Sequence, residues 1–223
     1  MKPIIKICGI CREEDAVFCA EAGADWLGFI FHADSPRHAS IEAVGGFDTG
    51  RAKRVGVFVS QTPEEIDRIM ARAKLDLAQL HGGQSADFCR AVGVERVVRT
   101  IWPQRYHTGD DLRRERDELA ESVSYFLYDA GTSGGGHGLS FDPALISELS
   151  PRPWLMAGGM TAERAAGLMS SKLPALANLA GFDFNSGVEK SPGVKDRFLV
   201  ESTISAARNA AHAIEALRGT DSV

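Results

Sequence analysis

The sequence predicts an α/β protein folded as one (β/α)8, or TIM, barrel. Three observations carry that expectation. Strand-like and helix-like segments alternate eight times along 223 residues, which favours a closed parallel barrel over an open sheet. No linker or internal repeat divides the chain, so residues 1–223 read as a single domain. The last two strand-like runs end in glycine turns, Ala157-Gly158-Gly159 and Asn185-Ser186-Gly187-Val188. Turns at those places cup a phosphate in many barrels, through backbone N–H groups beside a helix dipole. A doubly wound sheet is the runner-up, but its usual glycine-rich turn after the first strand is absent.

The elements follow in order. Residues 4–8 form an apolar run, and 12–22 follow with Ala16, Val17, Cys19 and Ala20 at helical spacing before Gly23. Residues 26–31 give the second strand, a polar loop holds Ser35-Pro36-Arg37, and a weak helical pattern from Ile41 breaks at Gly45-Gly46. Residues 54–59 give the third strand. Thr62-Pro63-Glu64-Glu65 then combines a capping box with proline at the first helical position. Strands at 77–80, 96–101 and 125–128 are followed by helices at 85–92, near 110–121 and at 141–149. A loop at 131–138 precedes the last of these. The final units pair 154–156 with 161–170 and 181–184 with 196–217, and a frayed tail is expected from Gly219.

Composition excludes several classes. A net charge of −5 offers no basic stripe to displace phosphate counterions, so nucleic acid is not the expected partner. Arg113, Arg114 and Arg116 are offset by Asp110, Asp111, Glu115 and Asp117 and read as a solvated helix face. The apolar start is broken at Lys6, too early for a signal-peptide core, and no stretch suits a membrane span. Four cysteines without a secretory signal need no disulfide framework, so the expected location is cytoplasmic.

Barrel enzymes carry their reactive groups at the C-terminal ends of the strands. Those ends read Cys8, Arg37, Ser60, His81, Ile101, Asp129 and the two glycine turns. Cys8 is either a base, its thiol lowered from about 8.5 by nearby cations or helix ends, or a small core residue. Cys8-Gly9-Ile10-Cys11 also spells a CxxC pair, which a redox or zinc site would need further context to use. Asp129, ending an aromatic run, is either a proton donor raised by apolar surroundings or a cap for the next loop. Arg37 offers a fork for a carboxylate or a surface ion pair. His81 can orient a ligand hydroxyl or satisfy a backbone carbonyl. The glycine run at 134–138 is either a lid or a flexible link.

In order along the chain, several stretches resemble the phosphoribosylanthranilate isomerase family. They are Lys6-Ile7-Cys8-Gly9-Ile10, Gly23-Ala24-Asp25 with Gly28-Phe29, Ser35-Pro36-Arg37, and Val55-Gly56-Val57-Phe58-Val59. Further on come Gln79-Leu80-His81-Gly82, Ala157-Gly158-Gly159, Asp183 with Ser186-Gly187-Val188-Glu189, and Gly193-Val194-Lys195-Asp196. The resemblance implies a (β/α)8 barrel that performs an Amadori rearrangement on a small phosphoribosyl substrate, without cofactor or metal. It implies Cys8 as general base, Asp129 as general acid and Arg37 as the anthranilate-binding cation. Gly158, Gly159, Ser186 and Gly187 would hold the phosphate, with His81 and Asp183 lining the pocket. A monomer or homodimer is expected. Departures are Cys11 in place of a usual threonine, Phe141-Asp142-Pro143 in place of a Phe-Asp-Trp-like segment, a longer glycine run at 133–138, and an insertion at 171–180 with Pro174.

Rival readings stay distinct. The histidine-pathway isomerase fold carries aspartate where Cys8 stands and repeats its phosphate cup in both halves. Here Val59-Ser60 and His81-Gly82-Gly83 do not repeat the later cup. Two rivals from different classes are a thiol-based redox or metal module and a non-catalytic phosphoribosyl binder.

Overall fold

A computed structural model of the chain describes residues 2–130, 150–170 and 178–220, with 170 and 210–220 traced by backbone alone. The parallel strands are β1 (Ile4–Ile7), β2 (Trp26–Ile30), β3 (Lys53–Phe58), β4 (Leu77–Leu80), β5 (Val97–Ile101), β6 (Tyr125–Asp129), β7 (Trp154–Ala157) and β8 (Leu179–Phe184). They pair in sequence order, and β8 returns to β1 to close the barrel. The described helices are α1 (Glu13–Glu21), α2 (Ile41–Gly46), α3 (Pro63–Ala73), α4 (Ala86–Val92), α5 (Gly109–Leu119), α6 (Ala162–Ser170) and α7 (Arg197–Thr220). The expected loop at 131–138, helix at 141–149 and most of the insertion at 171–180 lie outside the described residues.

Period-two alternation divides each strand between two cores. Trp26, Val55, Leu77, Val98, Leu127 and Leu155 point inward and fill the lower barrel. Their neighbours Leu27, Phe58, Ala78, Phe126 and Met156 point outward against the helices. Helix α3 shows the other half of that packing. Thr62 accepts from the Glu65 N–H at 3.3 Å while Glu65 accepts from the Thr62 N–H at 2.8 Å, completing the expected capping box. Ile66, Met70 and Ala73 then bury one face of that helix.

Between the second glycine turn and the last helix lies an element that the sequence pattern leaves unassigned. Ser186–Val188 makes one 3-10 turn and leads into a hairpin, β9 (Glu189–Ser191) and β10 (Val194–Lys195), before α7 begins. Pro192 and Gly193, the latter at φ +80°, supply the tight turn between the two short strands. At the other end α7 continues through Thr220, so Gly219 is helical rather than frayed.

Where β8 meets β1 the backbones approach closely. A Cβ at Gly181 would overlap the Ile4 carbonyl oxygen and sit 2.7 Å from the Ile4 nitrogen. Gly181→Ala should therefore destabilise the barrel by about 1–3 kcal/mol, the usual cost of overpacking. Urea unfolding followed by tryptophan fluorescence measures it; a midpoint equal to wild type would show that the seam relaxes freely.

Candidate active site

The inward positions change chemistry toward the C-terminal ends of the strands. Above the apolar layer stand Lys6 on β1, Gln79 on β4, Thr100 on β5, Asp129 on β6 and Asp183 on β8, all buried. Cys8 follows two residues after Lys6 and so faces the same side. A cavity of about 290 Å³ opens above this layer. Cys8, Arg37, His81, Asp129, Gly158, Gly159, Asp183, Ser186 and Gly187 all line it. The nine residues that the resemblance assigns to the site are thus brought to one cavity. Ser60 and Ile101 are not: the first is exposed and the second packs in the outer core.

Sequence reasoning missed the groups that support these residues. Lys6 is wholly buried and reaches both carboxylate oxygens of Asp183 at 3.0 Å. Burial alone would lower the Lys6 pKa, but Asp183 and then Cys8 outweigh it and hold the ammonium above its ordinary range. Gly28 leaves room for the pair of groups beside it, since a Cβ there would lie 2.7 Å from Cys8 Sγ and 3.0 Å from Lys6 Nζ. Of the two readings of Cys8, the lowered thiol is corrected by the structure, which buries the residue. Burial pushes that thiol up, and the opposing pull of Lys6 does not cancel it. The signal for Lys6 was present as a charge at an inward position of an otherwise apolar strand.

His81 takes its environment from three sides. Its Nδ1 lies 3.0 Å from Thr100 Oγ1 and 3.4 Å from Gln79 Nε2, and its ring meets Trp102 edge-on at 5.0 Å. Burial, then the cations Lys6, Arg99 and Arg105, push its pKa down to about 3. The ring is therefore neutral near pH 7, and its 3.8 Å approach to Asp129 Oδ2 is not an ion pair there. Gln79 Oε1, buried on the cavity wall, has no hydrogen-bond partner among the described residues. That leaves an acceptor for a ligand hydroxyl.

Arg37 is held by the β9–β10 hairpin. Its Nε lies 3.1 Å from both Glu189 oxygens, and its Nη2 donates to Oε2 at 2.7 Å. Lys195 Nζ donates to Oε1 of the same carboxylate at 2.8 Å. At the cup, Gly158 and Gly159 have φ +81° and +56°, conformations open to glycine. Gly158 also leaves space for Asp129, whose Oδ1 would lie 2.8 Å from a Cβ at that position. Arg164 of α6 donates to the carbonyls of both glycines at 3.0 and 3.3 Å. The N-terminus of α6 follows the turn and adds partial positive charge.

A closed parallel barrel with a thiol, a carboxyl group and two glycine turns around one mouth defines a (β/α)8 enzyme built for acid–base work. Comparison with known proteins narrows the class. The family profile described as N-(5'phosphoribosyl)anthranilate (PRA) isomerase matches residues 5–206. An N-(5'-phosphoribosyl)anthranilate isomerase of Desulfovibrio desulfuricans is 47% identical over 194 residues, 86% of this chain and 90% of the relative. One of Maridesulfovibrio salexigens is 42% identical over 198 residues, 88% of this chain and 94% of the relative. The crystal structure of phosphoribosyl anthranilate isomerase from Thermotoga maritima superposes with a TM-score of 0.78 at 30% identity, covering 94% of this chain and all of the other. The chain belongs to the N-(5'-phosphoribosyl)anthranilate isomerase family.

The buried imidazole predicts acid sensitivity. Folded His81 stays neutral down to about pH 3, whereas an unfolded histidine takes up a proton near 6.5. Below that value the unfolded state binds more protons, so stability present at pH 7 is lost as pH falls toward 3. The loss from this group should reach roughly 2 kcal/mol by pH 5. Denaturant unfolding at pH 7 and pH 5 for wild type and His81→Gln checks it; equal pH sensitivity in the two proteins contradicts a buried neutral ring.

Proposed function

We propose that Cys8 and Asp129 carry out the family's reaction in this chain, as general base and general acid. That reaction converts N-(5'-phosphoribosyl)anthranilate to 1-(2-carboxyphenylamino)-1-deoxyribulose 5-phosphate by an Amadori rearrangement, a step of tryptophan biosynthesis. The chain is thus an aldose–ketose isomerase. The observation that carries the assignment is the shared cavity: thiol, carboxyl and glycine cup face one space large enough for a sugar phosphate.

Protonated Asp129 would donate to the furanose ring oxygen, opening the ring to a Schiff base. The Cys8 thiolate would then remove the proton from C2, and the enolamine so formed tautomerises to the ketose. Lys6, beside the sulfur, is the cation available to favour the thiolate against burial. Arg37 would receive the anthranilate carboxylate, and the Gly158, Gly159, Ser186 and Gly187 turns the phosphate. Holding both ends converts remote binding energy into alignment of C2 with the thiolate. His81 and Asp183 complete the wall, the first as a neutral hydrogen-bonding group. A solved isomerase bound to reduced 1-(o-carboxyphenylamino)-1-deoxyribulose 5-phosphate, 29% identical with a TM-score of 0.74, supports such a ligand.

The steps are proton transfers, so we read the enzyme as needing neither cofactor nor metal. We also read residues 1–223 as one domain, acting in the cytoplasm on a small molecule rather than on nucleic acid or membrane. No described helix is long and apolar enough to cross a bilayer. A monomer or a homodimer suits this reading; one solved Thermotoga maritima relative is described as dimeric.

The direct test mixes purified protein with freshly made N-(5'-phosphoribosyl)anthranilate and follows loss of its fluorescence. Cys8→Ala and Asp129→Asn should each lower kcat about 10²–10⁴-fold, the contribution of one positioned acid or base. Both should bind a product analogue nearly as wild type does. Full turnover in either variant would remove that residue from its role.

A further inference from the structure

The hairpin β9–β10 does more than connect β8 to α7. Its first residue, Glu189, has an almost wholly buried side chain that sits between two cations, Arg37 and Lys195. Glu189 Oε1 takes hydrogen bonds from Lys195 Nζ at 2.8 Å and from the Gly193 N–H at 3.2 Å. Lys195, also buried, is fixed in turn by Asn185 Oδ1 at 3.2 Å. Burial alone would raise the Glu189 carboxyl, but Arg37 and Lys195 outweigh it and keep it ionised.

We infer that Glu189 is a positioning residue that sets which edge of Arg37 faces the cavity and so selects a ligand bearing a carboxylate. The inference rests on the reading of the site given above and deepens it. A guanidinium has a fork of N–H groups along more than one edge. Glu189 occupies the Nε–Nη2 edge. Among the described residues Nη1 makes no hydrogen bond, and Arg37 lines the cavity. That leaves the Nη1–Nη2 edge as the one a second carboxylate could meet with paired hydrogen bonds. Two cations against one carboxylate also leave a single positive charge, which matches one aryl carboxylate. Gly9 makes room for the Arg37 side chain, since a Cβ there would lie 2.8 Å from its Cδ, and the hold on the guanidinium comes from Glu189.

Charge alone predicts the opposite outcome from positioning. Removing the Glu189 charge leaves two cations facing the ligand carboxylate, which by Coulomb attraction would tighten binding. Loss of orientation weakens it. The test titrates reduced 1-(o-carboxyphenylamino)-1-deoxyribulose 5-phosphate, and its counterpart lacking the ring carboxylate, into wild type, Glu189→Gln and Glu189→Asp. Glu189→Gln should weaken the carboxylate compound about tenfold, the scale of one charge-assisted hydrogen bond, and leave its counterpart unchanged. Turnover should show the same split, with KM raised about tenfold and kcat within about twofold. Glu189→Asp keeps the charge and retreats from Arg37, so it should weaken the carboxylate compound as well. It decides the matter if the glutamine variant does not fold. Tighter binding in Glu189→Gln, unchanged binding in Glu189→Asp, or equal losses for the two compounds would overturn the inference. Wild type that turns over no substrate and binds neither compound would instead refute the reading of the site, and this inference with it.

Discussion

Lys6 and Asp183 are direct register partners where the last strand meets the first, and their side chains meet inside the barrel. An ammonium and a carboxylate in that place are costly to desolvate, and an apolar pair of similar volume would often be as stable. Removing either one alone leaves a buried charge, a loss of about 3–5 kcal/mol. The pair therefore fixes the seam by mutual need rather than by net gain. Its position has a second consequence. It sits directly beneath the cavity, so the floor of the site and the closure of the barrel are one structure.

That floor governs the thiol above it. Cys8 leaves β1 with its N–H bonded to the Phe184 carbonyl at 2.8 Å, so its backbone is tied to β8 as well. The sulfur lies in surroundings that favour the neutral thiol, with Lys6 as the opposing influence and Asp183 partly cancelling Lys6. A free lysine without Asp183 would favour the thiolate more strongly, yet it would also be harder to keep charged at full burial. The compromise sets a charged group beside the proposed base without leaving an unpaired cation in the barrel. Gly28 is what admits it: any side chain there would collide with Cys8 Sγ.

The barrel itself was legible because its signals are local. Alternation of apolar runs with amphipathic segments, the capping box at Thr62 and glycines at strand ends each follow from a few adjacent residues. The strand ends Cys8, His81 and Asp129 were legible for the same reason, since strand direction places them on one rim. What escaped was chemistry made by distant pairs. Lys6 reads as an interruption of an apolar run until Asp183, far along the chain, is set beside it. Gln79 and Thr100 read as ordinary strand residues until both are seen on His81 Nδ1. The segment alone could not choose between a lowered and a buried thiol at Cys8, because burial is a property of the closed barrel. The hairpin after β8 escaped because its strands are only two and three residues long, too short for a period to show, although Pro192-Gly193 spells the turn between them.

The arrangement of charge around the cavity follows one rule: each buried cation there is matched to a carboxylate. Lys6 answers Asp183, while Arg37 and Lys195 share Glu189. His81 obeys the rule by shedding its charge. Were it an imidazolium at 3.8 Å from Asp129, it would favour the ionised carboxylate, the wrong form for the proposed acid. Burial and the neighbouring cations keep the ring neutral instead. Because two cations share the one Glu189 carboxylate, the match there leaves a surplus positive charge, at the place proposed for the ligand's ring carboxylate. On the proposed reading, a barrel mouth with surplus positive charge at Arg37 and glycine turns in the same cavity would favour one orientation of a ligand with negative charge at both ends.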